Sequence, residues 1–98
     1  MSFIQLFEMK TKDVDAVTAL TEEWEAATEG RRTARRSVVG RDRNDPDRHV
    51  VIVFFDSYES AMENSNLPET QEMATKMQAL LDGPPVFTDL DVIEDRER

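Results

Sequence analysis

The side chains in this sequence that could carry acid–base chemistry near neutral pH are few. His49 is the only histidine among the 98 residues, and histidine is the side chain whose ordinary pKa lies closest to neutrality. His49 could act as a general base, but we favour a simpler interpretation, an exposed position at the start of a strand beside Arg48. A single histidine among scattered carboxylates lacks the convergent ligands of a transition-metal site, so we predict no metal.

Two asparagines, Asn64 and Asn66, lie at a predicted break between two helices. Residues at such breaks are usually caps or turn formers, and we favour that interpretation for both. An asparagine amide in an apolar cleft could also orient the oxygen of a planar ketone or quinol. Oxygenation without a cofactor needs little more than an acidic substrate, one polar group and a dry pocket. Asn64 is therefore a catalytic candidate beside His49, and Asn66 is a candidate substrate-binding residue.

An apolar cleft for an aromatic ligand is the third chemical feature that the sequence suggests. Trp24 lies on the apolar stripe of the first predicted helix, where packing in the core is the more common role of a large aromatic side chain. Methionine adapts to irregular apolar ligands, although it also fills gaps in cores. The residues that could line one cleft are Trp24, Phe54, Phe55, Tyr58, Met73 and Met77.

The elements that must position these residues follow from the spacing of the apolar side chains. We predict strands over residues 3–10, about 34–43, 48–56 and about 86–93. We predict helices over residues 13–29, from a capping box at residues 56–59 to about residue 64, and from Pro68 to the Gly83-Pro84-Pro85 stop. In the capping box, an acidic or hydroxyl cap is followed by Glu59 three residues later. Asp13 is the predicted cap of the first helix and Gly30 its stop.

This order, strand–helix–strand–strand–helix–strand, predicts one α+β domain over residues 1–98. It is the ferredoxin-like βαββαβ arrangement, with a four-stranded antiparallel sheet and its helices on one face. Residues 50–55 are apolar at every position, so both faces of that strand need a cover. The helices supply one cover, and we expect the sheet of a second copy to supply the other. The sequence therefore predicts a homodimer formed through the sheet face.

The composition excludes several classes of partner. A net charge of −9 argues against nucleic acid, which demands a basic surface. No apolar run approaches the roughly 20 residues of a membrane span, and no signal peptide is recognisable, so we predict a cytoplasmic protein without a membrane partner. The sequence has no cysteine, which excludes disulfides and thiolate chemistry.

The positive charge is concentrated between Arg31 and Arg48, where seven arginines stand against three aspartates, a local net charge of +4. These arginines could bind an anionic ligand or steady a phenolate. We favour a solvated hairpin edge that deters aggregation, or pairing with acids of a partner subunit.

Residues 54–61 (Phe-Phe-Asp-Ser-Tyr-Glu-Ser-Ala) and 81–87 (Leu-Asp-Gly-Pro-Pro-Val-Phe), together with the order of the elements, resemble the antibiotic biosynthesis monooxygenase (ABM) family. That family belongs to the dimeric α/β-barrel superfamily, and the resemblance covers nearly the whole chain. It implies a homodimer whose two sheets close into a barrel. Among the implied activities are cofactor-independent oxidation of polyketide quinones and anthrones, oxidative haem degradation, and quinol oxidation.

Two departures from the family pattern narrow these activities. Many members carry a histidine shortly after the Ser-x-Glu-x-Ala segment, where this chain has Asn64. The haem-degrading members use a first-strand asparagine, a third-strand tryptophan and a helix histidine, whereas this chain has Gln5, a phenylalanine and no helix histidine. We therefore disfavour haem and predict no cofactor. The resemblance implies a cofactor-independent monooxygenase for an aromatic polycyclic or quinone-like molecule. The alternative is a non-enzymatic small-molecule-binding or stress-responsive dimer.

Overall fold

The computed structural model describes residues 2–98, and its elements follow the predicted order. The strands are β1 (Phe3–Lys10), β2 (Arg36–Arg41), β3 (Arg48–Phe55) and β4 (Val86–Asp91). The helices are α1 (Val14–Thr28), α2 (Tyr58–Asn66) and α3 (Pro68–Gln78). The four strands form one antiparallel sheet in the order β2-β3-β1-β4. The predicted ferredoxin-like α+β fold is confirmed, with its second helix in two pieces.

The two central strands, β1 and β3, give the sheet two different faces because successive side chains point to opposite sides. On one side, Phe3 lies opposite Phe55 and Phe7 opposite Val51. These residues belong to the clusters that join the sheet to the helices, and we call this side the helix face. The other side, the open face, carries neighbouring pairs of large apolar residues, Ile4 with Phe54 and Leu6 with Ile52. None of these open-face residues belongs to either buried cluster.

The core consists of two clusters on the helix face. The larger one joins both central strands to α1 and α3, and its buried members are Met9, Val17, Leu20, Val51 and Met77. The smaller one lies where β1 begins and β3 ends, under α2, and its buried members are Phe3, Phe55 and Ala61. Ala61 is completely buried, and a side chain no larger than a methyl group lets α2 approach the two phenylalanines closely.

Local signals set where the first two helices begin. The Asp13 carboxylate accepts a hydrogen bond from the Ala16 N–H at 3.1 Å, so Asp13 caps α1 as predicted. In α2 the cap is Ser57, whose hydroxyl accepts from the Ser60 N–H at 3.1 Å. The predicted capping box is therefore wrong in its second half. Glu59 is only the second residue of α2 and cannot close the box, although its charge still suits the positive end of the helix dipole.

Two of the other helix boundaries follow the expected breakers, the start of α3 and the end of α1. Pro68 opens α3 at a position where its missing N–H removes no hydrogen bond. Gly30, after α1, has φ +81°, and Gly83, after α3, has φ +103°. Both conformations strain residues that carry a Cβ. Gly30 directly follows Glu29, the C-cap of α1, and ends that helix as the sequence predicts. α3 already ends at Gln78, with Ala79 as its C-cap, so the predicted stop of this helix at Gly83 is wrong.

The two edge strands are exposed along their whole lengths. Val39 on β2 and Val86 and Phe87 on β4 each keep more than half of their accessible surface, at 56%, 57% and 57%. Exposed edge strands with large apolar side chains favour association with another chain. No helix within residues 2–98 is long and apolar enough to cross a membrane.

Candidate functional site

The groove between α1 and α3 holds two of the predicted cleft residues, Trp24 and Met73. The Trp24 indole N–H donates to the Thr70 hydroxyl at 2.8 Å, and the Arg32 guanidinium carbon lies 5.9 Å from the centre of the indole ring. The open space in this groove is about 40 Å³, little more than the roughly 30 Å³ that one water molecule occupies in the liquid. The groove is therefore too small to admit an aromatic ring. The role of Trp24 is instead to connect the two helices, and Met77 lies below the groove in the buried core.

Charged side chains strengthen the contact between α1 and α3. The Lys76 ammonium lies 3.1 Å from Glu23 across the groove and 3.4 Å from Glu72 on its own helix, which raises the pKa of Lys76. Glu69 accepts from the Arg31 guanidinium at 2.5 Å, and this hydrogen bond is the main cause that lowers the pKa of Glu69. The other Glu69 carboxylate oxygen is buried without a hydrogen-bond partner among residues 2–98. These contacts give the groove a structural role.

Asn64 is buried, with 7% of its surface accessible, and it organises the chain that follows α1. Its side-chain oxygen accepts a hydrogen bond from the Thr33 N–H at 3.2 Å. The Thr33 hydroxyl in turn donates to the Ser60 carbonyl at 2.5 Å. Asn64 thereby ties the segment between α1 and β2 to α2. This geometry supports the structural interpretation of Asn64.

His49 is buried, with 2% of its surface accessible, so the expected exposed edge position is wrong. It lies on the helix face opposite Met9, because the register of the hairpin turns its ring inward. Its Nδ1 is 3.1 Å from the Asp47 carbonyl oxygen, and its Nε2 is 3.4 Å from the Arg41 Nε–H. A ring that donates through Nδ1–H and accepts at Nε2 satisfies both contacts. Both ring nitrogens are thus occupied within the fold.

The two catalytic candidates are far apart. Phe55, at one end of β3, packs against Ala61, which lies one helical turn from Asn64. His49 lies near the other end of β3. Six residues along a strand span about 20 Å. Asn64 and His49 therefore cannot act on one substrate atom.

The remaining predicted residues also separate. Phe54 points to the open face, where the Arg36 guanidinium carbon lies 5.5 Å from its ring centre. Tyr58 is half exposed and meets Phe3 edge-to-face with ring centres 5.5 Å apart. Asn66 is exposed at the end of α2. The single cleft predicted from the sequence is not formed, because the sheet stands between Phe54 and Trp24.

A cavity of about 300 Å³ lies at the sheet end where β1 begins and β3 ends. We call it the sheet-end pocket. Its apolar wall consists of Ile4, Phe54, Phe55 and Val92, and its polar rim of Ser2, Arg35, Asp56, Glu94 and Asp95. Its volume falls at the lower limit of small-molecule sites, which is about 300 Å³. Of the predicted cleft residues, it contains Phe54 and Phe55.

Arg35 is the cationic group of the sheet-end pocket. Its Nε lies 3.3 Å from the Asp56 carboxylate, and both side chains are about two-thirds exposed, at 68% and 66%. Such an exposed pair is weak and exchanges readily with a ligand anion. The chain after β4 completes the rim, because the Val92 N–H donates to the Ser2 carbonyl at 3.0 Å. Sequence reasoning missed these rim residues, since only the pairing of distant segments brings them together.

The described residues contain no candidate metal site. Across residues 2–98, no three histidine, cysteine or carboxylate side chains converge as a metal site requires. The polar groups available for chemistry are therefore a guanidinium, hydroxyl groups and carboxylates.

The fold and the pocket together define a ferredoxin-like α+β protein with an uncovered apolar sheet face. A comparison with family models found no match, and a comparison with curated proteins found none either. Solved structures do match over nearly the whole chain. SnoaB from Streptomyces nogalater, described as a cofactor-independent oxygenase, aligns with a TM-score of 0.80 at 12% identity, covering 96% of this chain and 95% of SnoaB.

Two further structures show the same likeness. A candidate antibiotic biosynthesis monooxygenase from Caulobacter crescentus aligns with a TM-score of 0.79 at 14% identity, covering 95% of this chain and 91% of its own. The protein Rv0793 from Mycobacterium tuberculosis aligns with a TM-score of 0.79 at 14% identity, covering 99% of this chain and all of its own. The resemblance to antibiotic biosynthesis monooxygenases is thus confirmed at the level of the fold.

Proposed function

We propose that this chain is a homodimeric, cofactor-independent monooxygenase of the ABM type. Its substrate is an aromatic polycyclic or quinone-like molecule, bound in the sheet-end pocket. The observation that carries the proposal is the pocket itself, an apolar space of about 300 Å³ with Phe54 in its wall and the Arg35 guanidinium at its rim. A planar aromatic ligand would stack on Phe54. Arg35 would leave Asp56 to face the oxygen of that ligand.

The chemistry needs no resident cofactor. A methylene group between two aromatic rings loses a proton to give a carbanion, whose charge spreads onto the neighbouring ring oxygen. Dioxygen then accepts four electrons, with one oxygen atom ending as the new carbonyl and the other as water. A guanidinium beside the ring oxygen would stabilise the enolate or phenolate, because fixed charge aimed at a developing anion lowers the barrier.

Such a reaction needs a site from which water is excluded. A second copy of the chain would help to exclude water by covering the pocket. The sheet-end pocket opens beside Ile4 and Phe54 on the open face, so a sheet packed on that face would also cover the pocket. The accessible surface of the chain is 6923 Å². The usual scaling for a folded monomer of 11.3 kDa gives about 5,700 Å². The excess of about 1,200 Å² is larger than the about 800 Å² that one partner buries in a standard stable interface. Part of it belongs to the extended residues 92–98.

Oxygen uptake tests this function. The protein is incubated in air with a small panel containing a dihydroxyanthrone and quinols, and oxygen is followed with an electrode. We expect uptake above buffer, a loss of at least about tenfold in kcat/KM for Arg35→Gln, and a rise in KM for Phe54→Ala. Arg43→Gln is the matched control, because Arg43 is an exposed arginine of the same segment outside the pocket. No uptake with any compound of the panel would refute the oxygenase proposal.

The second candidate is a dimer that binds an aromatic molecule without transforming it. It is favoured because neither catalytic candidate, Asn64 or His49, lines the sheet-end pocket. Calorimetry with the same panel distinguishes the two functions. Binding that is weakened by Phe54→Ala, without any oxygen uptake, would identify a binding protein. A cytoplasmic location is part of both proposals.

A further inference from the structure

The charges at the rim of the sheet-end pocket do not balance. The rim carries one guanidinium and three carboxylates, those of Arg35, Asp56, Glu94 and Asp95. Asp56 is paired with Arg35 at 3.3 Å. Glu94 is paired with Arg96, two residues further along the chain. Asp95 forms no ion pair within residues 2–98. The rim therefore keeps one unbalanced negative charge, at Asp95.

The place of Asp95 at the rim is set by the chain that follows β4. The Val92 N–H donates to the Ser2 carbonyl at 3.0 Å, which extends the pairing of β1 with β4 by one residue. The Val92 side chain belongs to the apolar wall of the pocket, and Asp95 follows three residues later at its rim. A ring that packs on Val92 and Phe54 therefore has the Asp95 carboxylate at its edge.

A phenolic ligand would increase the imbalance. In the proposed function, Arg35 leaves Asp56 to face the ligand oxygen, so Asp56 loses its cation. Two carboxylates, Asp56 and Asp95, would then stand at the rim without a positive partner. No cation other than Arg35 lines the pocket within residues 2–98. A positive charge on the ligand itself would restore the balance, because complementary charge selects a binding partner and like charge rejects one.

We propose that the ligand of the sheet-end pocket is an aromatic molecule with a phenolic oxygen for Arg35 and an alkylammonium substituent for Asp95. The inference rests on the proposed function and narrows its substrate to molecules with a basic substituent. An ammonium group has three N–H donors and no acceptor, so it suits a carboxylate. Aromatic acids are disfavoured by the same geometry, because their carboxylate would face Asp95.

The expected effect is moderate because Asp95 is exposed. An exposed ion pair changes a binding constant by up to about fivefold. An ammonium and a carboxylate at the same place on the ligand differ by both an attraction and a repulsion, so their binding constants should differ by about tenfold. The difference should shrink as salt rises, since 0.1 M salt screens exposed charges over about 10 Å.

Calorimetry at low salt and pH 7 with three matched naphthols tests the proposal. The naphthols differ only in one substituent at the same ring position, which is aminomethyl, hydroxymethyl or carboxylate. For the wild type we expect the aminomethyl compound to have a Kd about three- to fivefold below that of the hydroxymethyl compound, and the carboxylate to bind most weakly. Asp95→Asn should reduce the first difference to less than about twofold. Asp95→Lys should place the carboxylate ahead of the aminomethyl compound.

Asp91→Asn is the matched control. It removes the same charge from an exposed carboxylate of β4 that does not line the pocket. The chain has a net charge of −9 and attracts any cation to some degree. A preference that survives in Asp91→Asn and is lost in Asp95→Asn would therefore come from the contact at the rim.

The outcomes separate this inference from the proposed function. Equal binding of the three naphthols to the wild type would overturn the inference and leave the proposed function standing. A preference that falls equally in Asp91→Asn and Asp95→Asn would also overturn it, because its source would be the net charge. A preference that follows Asp95, without oxygen uptake by any compound of the earlier panel, would support the inference and refute the oxygenase. Failure of all three naphthols to bind would overturn both.

Discussion

The role of Asn64 gives the sharpest test of how the structure is held together. Replacing Asn64 with alanine leaves the half-buried Thr33 N–H without its acceptor at 3.2 Å. An orphaned buried donor costs about 1–3 kcal/mol, so we expect a loss of about 2 kcal/mol in the free energy of unfolding. For a domain of this size that corresponds to a fall in Tm of about 8 °C or somewhat more. Thermal unfolding followed by circular dichroism measures it.

The chain provides a matched control for this test. Asn66 lies in the same helix but is exposed, and Asn66→Ala should change the free energy of unfolding by no more than about 0.5 kcal/mol. Both variants are compared at one protein concentration, because the proposed dimer would make Tm depend on concentration. If Asn64→Ala unfolds like Asn66→Ala but abolishes oxygen uptake, then the structural interpretation is wrong and Asn64 acts on the substrate.

Three further predictions concern the helices. In a double-mutant cycle, Trp24→Phe and Thr70→Val should show a coupling energy of about 1 kcal/mol by denaturant unfolding, because each removes the same hydrogen bond; additive effects would exclude that bond. The Arg31 guanidinium lowers the pKa of Glu69 below its ordinary value of 4.5, so this pair stabilises the fold above that pH and loses its effect as the pH falls through the lowered pKa. Urea midpoints between pH 6 and pH 3 should therefore fall more for the wild type than for Glu69→Gln, and equal falls would contradict the ion pair. Met77→Ala should cost about 2–5 kcal/mol by the same method, since it removes a buried core side chain, and a cost below 1 kcal/mol would show that the core closes around the gap.

The sequence predicts the framework of this protein well because the responsible signals are local. Asp13 can cap α1 with the next turn of the chain, and Pro68 can open α3, whatever the rest of the fold does. The two-sided β3 follows from its composition alone. The adjacent residues Phe54 and Phe55 also carried a usable signal, since neighbours on a strand point to opposite faces. This alternation indicates that Phe54 and Phe55 cannot both face Trp24. The sequence alone could therefore have shown that Phe54 and Trp24 do not line one cleft.

The site was harder to predict because it depends on contacts between distant segments. His49 is buried because the hairpin register places Arg41 and the Asp47 carbonyl against its ring, and nothing next to it in sequence signals that. The sheet-end pocket joins Arg35 to the segment after Val92, which lies more than fifty residues further along the chain. The sequence offered Arg35 only as one of seven arginines in a basic segment.

The position of the sheet-end pocket predicts that ligand binding and dimerisation promote one another. Phe54 and Ile4 belong both to the pocket wall and to the open face, so a second sheet on that face removes water from the pocket and adds surface to the ligand. By thermodynamic linkage, the factor by which dimerisation tightens ligand binding must equal the factor by which ligand tightens the dimer. A coupling of about 1–3 kcal/mol, typical of such linkage, is about 5–150-fold in either constant.

Sedimentation with and without a saturating aromatic ligand measures this factor directly. A ligand that tightens the dimer of the wild type but not of Phe54→Ala would show that the two surfaces meet. A ligand that binds equally well to monomer and dimer can shift no equilibrium between them. That result would mean that the pocket stays open to water in the dimer, and an open pocket could not protect a carbanion from reprotonation by water, so the oxygenase proposal would lose its physical basis while simple binding would remain.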